Sequence, residues 1–175
     1  CGNTRDDRGD MPKITIIGAG NVGGLTAARI QQAGIADVVL IDIAQDLVRA
    51  KVLDLEDSRP ALEVDREVRA TADFRGSENS DIIIFTAGLA RKPGMSREDL
   101  LNKNAAIVRQ IAREIKGCRK DPVLIVVSNP VDVMTYIAVR EFGFSPKRTI
   151  GFGVSLDAAR FANLISQELN ISCLD

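Results

Sequence analysis

The turn Gly18-Ala19-Gly20-Asn21-Val22-Gly23 constrains this chain more than any other feature. The apolar run Ile14-Thr15-Ile16-Ile17 leads into it, and Asp42 lies at the tip of a second apolar run, 19 residues past Gly23. A strand, a glycine turn, a helix and a second strand ending in an acid form the layout of a nucleotide-binding βαβ unit. Gly18 permits the tight turn, Gly20 removes a Cβ that would hold the backbone away from a pyrophosphate, and Gly23 lets the helix lie close on the strand. The helix N-terminus adds free N–H groups and the positive end of a dipole. A carboxylate at Asp42 can accept both ribose hydroxyls of an adenosine and would repel a 2′-phosphate. The pattern therefore predicts NAD rather than NADP, with cofactor contacts at Gly18, Ala19, Gly20, Asn21, Val22, Gly23 and Asp42. A glycine turn alone can be only a turn; here the strand before it and the acid after it favour the nucleotide.

Composition bounds the rest. A chain of 175 residues that is 45% hydrophobic can bury one sound core and little more. With 23 basic and 24 acidic residues it has no charge bias toward nucleic acid or an anionic membrane. Its longest apolar stretches, such as Val123–Val127 and Ile82–Phe85, are of strand length and too short to span a bilayer. Cys1, Cys118 and Cys173 show no CxxC spacing, which suits a reducing, cytoplasmic setting. There is no histidine, so a metal would have to rest on carboxylates, and no such cluster stands out; no metal is predicted. Residues 1–10 are polar and aperiodic before Met11-Pro12-Lys13, and read as a disordered arm or an appended remnant.

From Lys13 onward strand and helix alternate. Strands are predicted near Ile14–Ile17, Val38–Ile41, Glu67–Thr71, Ile82–Phe85, Val123–Val127 and Thr149–Ile150. That alternation predicts an α/β fold: a doubly wound, Rossmann-type parallel sheet of six strands in the order 3-2-1-4-5-6. Leu101, Ala105, Val108, Ile111, Ala112 and Ile115 form a stripe at helical spacing that should face the sheet, with Gly117 as a plausible stop.

In such a sheet ligands gather beyond the carboxyl ends of the strands, at the switch between strands 1 and 4. Four polar or glycine-bearing segments leave those ends: the glycine turn, the residues after Ile41, the loop Thr86–Arg97, and Ser128-Asn129-Pro130. The loop carries Arg91, Lys92 and Arg97 with Gly88 and Gly94. It could be a mobile lid that brings guanidinium groups onto an anionic substrate. On its residues alone it reads better as a solvated basic connection. Asp157 can be an acid favoured by a helix dipole, Arg160 a surface arginine, and Asn129 a turn residue before Pro130.

Together these segments resemble the lactate/malate dehydrogenase family, over essentially Met11 to Asp175. The resemblance rests on GAGNVG at Gly18–Gly23, Asp42, TAGLARKPGMSR at Thr86–Arg97, Asn104, SNPVDVMTY at Ser128–Tyr136 and LDAARF at Leu156–Phe161. It implies that Arg97 polarises the substrate carbonyl and that Arg91 binds the distal carboxylate of a dicarboxylate, malate or oxaloacetate. Lactate enzymes usually have an uncharged residue in place of Arg91, so the resemblance is to the malate side. It also implies that Arg160 pairs with the carboxylate beside the reacting carbon, that Asn129 contacts substrate and cofactor, and that Asp157 orients a catalytic histidine. Asn104 and the segment Val127, Ser128 and Asn129 would line the nicotinamide side.

The family's histidine is expected roughly 24 residues after Arg160, near position 184, whereas this chain ends at Asp175 and has none. The expectation is an NAD-binding domain over 11–153, followed at 154–175 by the first helix of a truncated catalytic domain. The parent would be an oxidoreductase of the tricarboxylic acid cycle, and a homo-oligomer through helices such as Leu47–Asp57 and Leu156–Leu169. The chain itself would bind NAD and turn over negligibly. A non-catalytic NAD-binding module and a lactate dehydrogenase remain as alternatives.

Overall fold

A computed structural model describes residues 11–90, 93–115 and 121–173. Cys1, Arg91, Gly117 and Cys118 lie outside the described residues. The elements run β1 (Lys13–Ile17), α1 (Asn21–Gln32), β2 (Asp37–Ile41), α2 (Gln45–Leu62), β3 (Val68–Thr71), β4 (Ile82–Phe85), α3 (Arg97–Ile115), β5 (Val123–Val126), α4 (Val131–Phe142), β6 (Thr149–Gly151) and α5 (Val154–Leu169). All pairings are parallel and the strand order is β3-β2-β1-β4-β5-β6, as the alternation predicts. Small differences fall at strand ends. Glu67 lies outside β3 and Val127 outside β5, while β6 runs on to Gly151.

Register levels the carboxyl ends. Ile17 pairs with Ile41 on one side and Phe85 on the other, and Phe85 pairs with Val126. Four chain exits therefore open at the same height. The central strands β1, β2 and β4 are buried on both faces, which is why they read as nearly continuous apolar runs. On one face Ile14, Ile16, Val38 and Leu40 pack with Ala27 and Ile30 of α1 and Val48 and Val52 of α2. On the other, Ile17, Ile83, Phe85 and Val126 pack with Val108, Ile111 and Ile115 of α3 and Met134 and Ile137 of α4. The alternation of Ile16 and Ile17 between these cores follows from the two-residue period of a strand. Of the stripe expected on α3, five residues are buried, and Leu101 at its first turn is half-buried.

The start of α3 is fixed by reciprocal capping. Ser96 Oγ accepts from the Asp99 N–H at 3.0 Å and donates to Asp99 Oδ2 at 2.7 Å, and the Ser96 N–H reaches Oδ2 at 3.2 Å. Two N–H groups that the helix cannot satisfy internally are thereby paired. The bonds from Ser96, first its hydroxyl and then its backbone N–H, hold the Asp99 carboxyl below its ordinary range. A lowered folded-state value stabilises the cap above the unfolded carboxylate range, and that stabilisation is lost as pH falls through the folded value. Ser96→Ala should lower Tm by about 2–4 °C at pH 7. In melts taken stepwise into acid, the gap between variant and parent should shrink once Asp99 protonates.

No residue of α5 is buried. Leu156, Phe161, Leu164 and Leu169 are all exposed along it. Among the described residues no helix is long and apolar enough to cross a membrane.

Candidate functional site

The glycine turn spans the gap between β1 and α1 at the sheet's switch point. Gly18 has φ of +107°, and a Cβ there would meet the Ala87 backbone nitrogen at 2.7 Å. A left-handed backbone and a neighbouring strand exit thus both demand glycine. A Cβ at Gly23 would stand 1.8 Å from the Gly18 carbonyl oxygen and 2.7 Å from Thr86 Oγ1. The close approach that requires Gly23 is therefore to the turn itself and to Thr86. Thr86 reinforces the arrangement by donating from Oγ1 toward the carbonyls of Ile17 and Gly18 at 3.1 and 3.0 Å.

Gly20 differs from the other two. A Cβ there would meet nothing within 4 Å, so the space beside it is open. Gly20 is the N-cap of α1, no side chain caps the helix, and its first turn contains no acid. Asn21 and Val22 follow at the exposed start of the helix. An uncapped helix N-terminus facing open space is suited to an anion, because its N–H groups and dipole both favour negative charge.

Asp42 stands half-buried at the end of β2. Its Oδ2 accepts from the Ala19 N–H at 2.6 Å and its Oδ1 from the Ala44 N–H at 2.9 Å. The carboxylate therefore braces the glycine turn. Each oxygen keeps a lone pair, enough for two further donors such as vicinal hydroxyls.

Between these groups and α3 lies a cleft of about 400 Å³. Its floor includes Gly18, Gly20, Asp42 and Thr86, and its apolar wall includes Ile43, Leu47, Phe74, Leu89, Ile107 and Ile111. Sequence reasoning missed this wall. The one local signal was Ile43, an isoleucine directly after Asp42 that is 83% exposed and so serves no core. An apolar slot beside an acid and an open helix N-terminus fits the parts of an adenine dinucleotide in order: base, ribose, pyrophosphate.

The residues expected on the nicotinamide side knit the strand exits together. Ser128 is buried and donates from Oγ to the Ala87 carbonyl at 2.5 Å, with the Phe85 carbonyl at 3.3 Å. The Val127 N–H donates to the Phe85 carbonyl at 2.9 Å. Asn104 is 2% exposed. It accepts from the Leu89 N–H at 2.8 Å and donates to the carbonyls of Asn129 at 2.7 Å and Leu89 at 3.3 Å. Its amide is thus spent on backbone, holding the loop after β4 against the turn after β5. Asn129 itself is exposed, just before the cis peptide to Pro130.

Of the remaining candidates, Arg97, Asp157 and Arg160 do not line the cleft. Arg97 is exposed as the first residue of α3, directly after the Ser96 cap. Arg91 lies outside the described residues. Asp157 and Arg160 form an exposed pair at 3.2 Å, one turn apart on α5. Such a pair contributes little to stability, and both side chains remain accessible to solvent. Among the described residues no group of His, Cys, Asp and Glu could hold a metal ion.

Residues 12–151 match the profile of the lactate/malate dehydrogenase NAD-binding domain. A malate dehydrogenase of Chlorobium luteolum is 50% identical over 164 residues, covering 93% of this chain and 53% of that protein. Among solved structures, the apo malate dehydrogenase of Picrophilus torridus superposes with a TM-score of 0.89 at 38% identity, covering 95% of this chain and 53% of the other. A minor L-lactate dehydrogenase of Enterococcus mundtii gives 0.87 at 35% identity, over 93% of this chain and 52% of the other. The chain spans about half the length of the relatives it matches.

Proposed function

The chain belongs to the lactate/malate dehydrogenase family, and on that premise we propose that it is the NAD-binding part of an NAD-dependent malate dehydrogenase. The observation that carries this reading is the open, uncapped N-terminus of α1 at Gly20, with the Asp42 carboxylate beside it. In it, residues 11–153 form the cofactor domain, and α5 is the first helix of a catalytic domain whose remainder is supplied by the rest of a longer protein. The exposed apolar residues of α5 support that division, since a helix that buries nothing gains its stability from a partner.

NAD bound with its adenosine in the cleft would supply or accept a hydride at its nicotinamide ring. The protein's own residues bind and orient. Gly20, Asn21, Val22 and Gly23 offer N–H groups to the pyrophosphate, and Asp42 accepts from the adenosine ribose. Ser128 and Asn104 fix the loops on the nicotinamide side, where Val127 and Asn129 face cofactor and substrate. Arg97 places a guanidinium at the substrate carbonyl, where it stabilises the negative charge that grows on oxygen during reduction. Arg91 and Arg160 bind the two carboxylates as bidentate forks. Asp157 orients the acid/base of the reaction. The dicarboxylate reading rests on Arg91, together with the malate dehydrogenases among its relatives. Pyruvate or lactate is the second reading, favoured by the likeness to the E. mundtii enzyme. A cytoplasmic location and a homo-oligomeric full-length protein complete the proposal.

The test is equilibrium titration of the 175-residue chain with NADH and NADPH, followed by fluorescence. Crowding a 2′-phosphate against Asp42 should weaken NADPH at least about tenfold relative to NADH. Equal affinity for the two, or none for either, would remove the basis of the proposal.

A further inference from the structure

Gly24 follows the glycine turn inside α1, where glycine weakens a helix relative to alanine. The turn does not require it, since Gly18, Gly20 and Gly23 already meet its geometric demands. The structure supplies another reason. A Cβ at Gly24 would stand 2.9 Å from Lys51 Nζ and 3.2 Å from Lys51 Cδ. Lys51 reaches across from α2, lays its alkyl chain over the bare glycine, and donates from Nζ to the Gly20 carbonyl oxygen at 3.1 Å. That oxygen also accepts the first bond of α1, from the Gly24 N–H at 2.9 Å.

The electrostatics of this placement are unfavourable as they stand. A cation at a helix N-terminus opposes the dipole. Among the described residues Lys51 forms no ion pair, and the first turn of α1 has no acid to offset it. A backbone carbonyl uses one of its three N–H groups, and that bond is solvent-exposed. Helix dipole and ammonium therefore concentrate positive charge beside the open space at Gly20, an arrangement that a bound anion of high charge density would convert from cost to gain.

We propose that Lys51, admitted by the gap at Gly24, is a positioning and charge-supplying residue for the pyrophosphate of the bound dinucleotide. The inference rests on the NAD reading above and adds a residue from α2 to it. Lys51 sets the electrostatic part of the affinity, while the glycine turn sets its geometry.

The experiment compares NADH and adenosine binding to the wild-type chain, Lys51→Met, Gly24→Ala and the double variant, at low and high ionic strength. At low salt Lys51→Met should weaken NADH about five- to tenfold. Screening at ~0.5 M salt should shrink that difference below about twofold. Adenosine, which has no phosphate, should bind all four proteins alike. Gly24→Ala should weaken NADH in the same direction by displacing the ammonium, and should add nothing in the Lys51→Met background. Unchanged NADH affinity in Lys51→Met, or an equal loss for adenosine, would overturn the role of Lys51 and leave the NAD reading in place. A wild-type chain that binds no NADH at all would overturn the NAD reading itself.

Discussion

Replacing Gly20 by alanine is expected to abolish measurable NADH binding while leaving the fold intact, whereas replacing Gly23 by alanine damages both. At Gly20 the backbone has φ of −63°, which alanine adopts without strain, and the added methyl meets no protein atom within 4 Å. The methyl instead occupies the space where a phosphate would approach the helix N–H groups. Losing two charge-assisted hydrogen bonds there costs about 3 kcal/mol or more, on the order of a hundredfold in affinity. The melting temperature should stay within about 2 °C of the parent. At Gly23 the methyl lands 1.8 Å from the Gly18 carbonyl oxygen. That contact is with backbone, so no rotamer change relieves it, and the turn must move. A loss of about 3 kcal/mol in a urea melt is expected, with NADH binding lost as well. If Gly20→Ala bound NADH like the parent, the phosphate would have to lie elsewhere.

Asn104→Leu is expected to be nearly as damaging to the fold, although Asn104 lies outside the glycine turn. The substitution keeps the branched outline of the side chain but strands the Leu89 N–H and the Asn129 carbonyl, both now paired with a side chain that is 2% exposed. Two partly buried groups without partners cost about 2–4 kcal/mol, or roughly 4–16 °C in Tm for a chain of this size. Asn104→Asp should be worse than its size suggests, because a carboxylate oxygen would replace the amide that donates to Asn129 and Leu89. Since Leu89 lines the cleft, NADH affinity should fall in both variants. A thermal melt that hardly moved in either would mean that water already serves these backbone groups.

Both variants mark a boundary in what sequence can reveal. Part of the need for glycine at 18 is local: φ is positive there and the motif shows it, whereas the approach of Ala87 is set by the pairing of β4 beside β1. The requirement at Gly23 is visible too, and its nearest cause, the Gly18 carbonyl, lies within the motif; its second, Thr86, is 63 positions away in sequence and approaches only when β4 pairs beside β1. Asn104 reads from the sequence as a residue lining the nicotinamide side only through family resemblance. Its hydrogen bonds span 15 and 25 residues, and no periodicity encodes such pairings. The apolar wall of the cleft was hidden for a similar reason. Phe74, Leu89 and Ile107 come from three separate segments, and each could have been core.

Local physics therefore determined a good deal of this protein from sequence alone. Apolar runs of strand length, alternating with helical segments and glycine-demanding turns, were sufficient for the parallel sheet and its strand order. Each depends on interactions between neighbours along the chain, or on rules of connection that hold for any such alternation. Tertiary structure alone decided which side chains meet across the strand exits and the glycine turn. Ser128 reaches back 41 residues to Ala87, Asn104 ties two loops together, and Lys51 crosses from α2 to the Gly20 carbonyl. Asp157 and Arg160 remain an exposed pair on a helix that buries none of its residues. Those outcomes depend on distances set by the whole sheet, and a hydrogen bond forms or fails within a few tenths of an ångström.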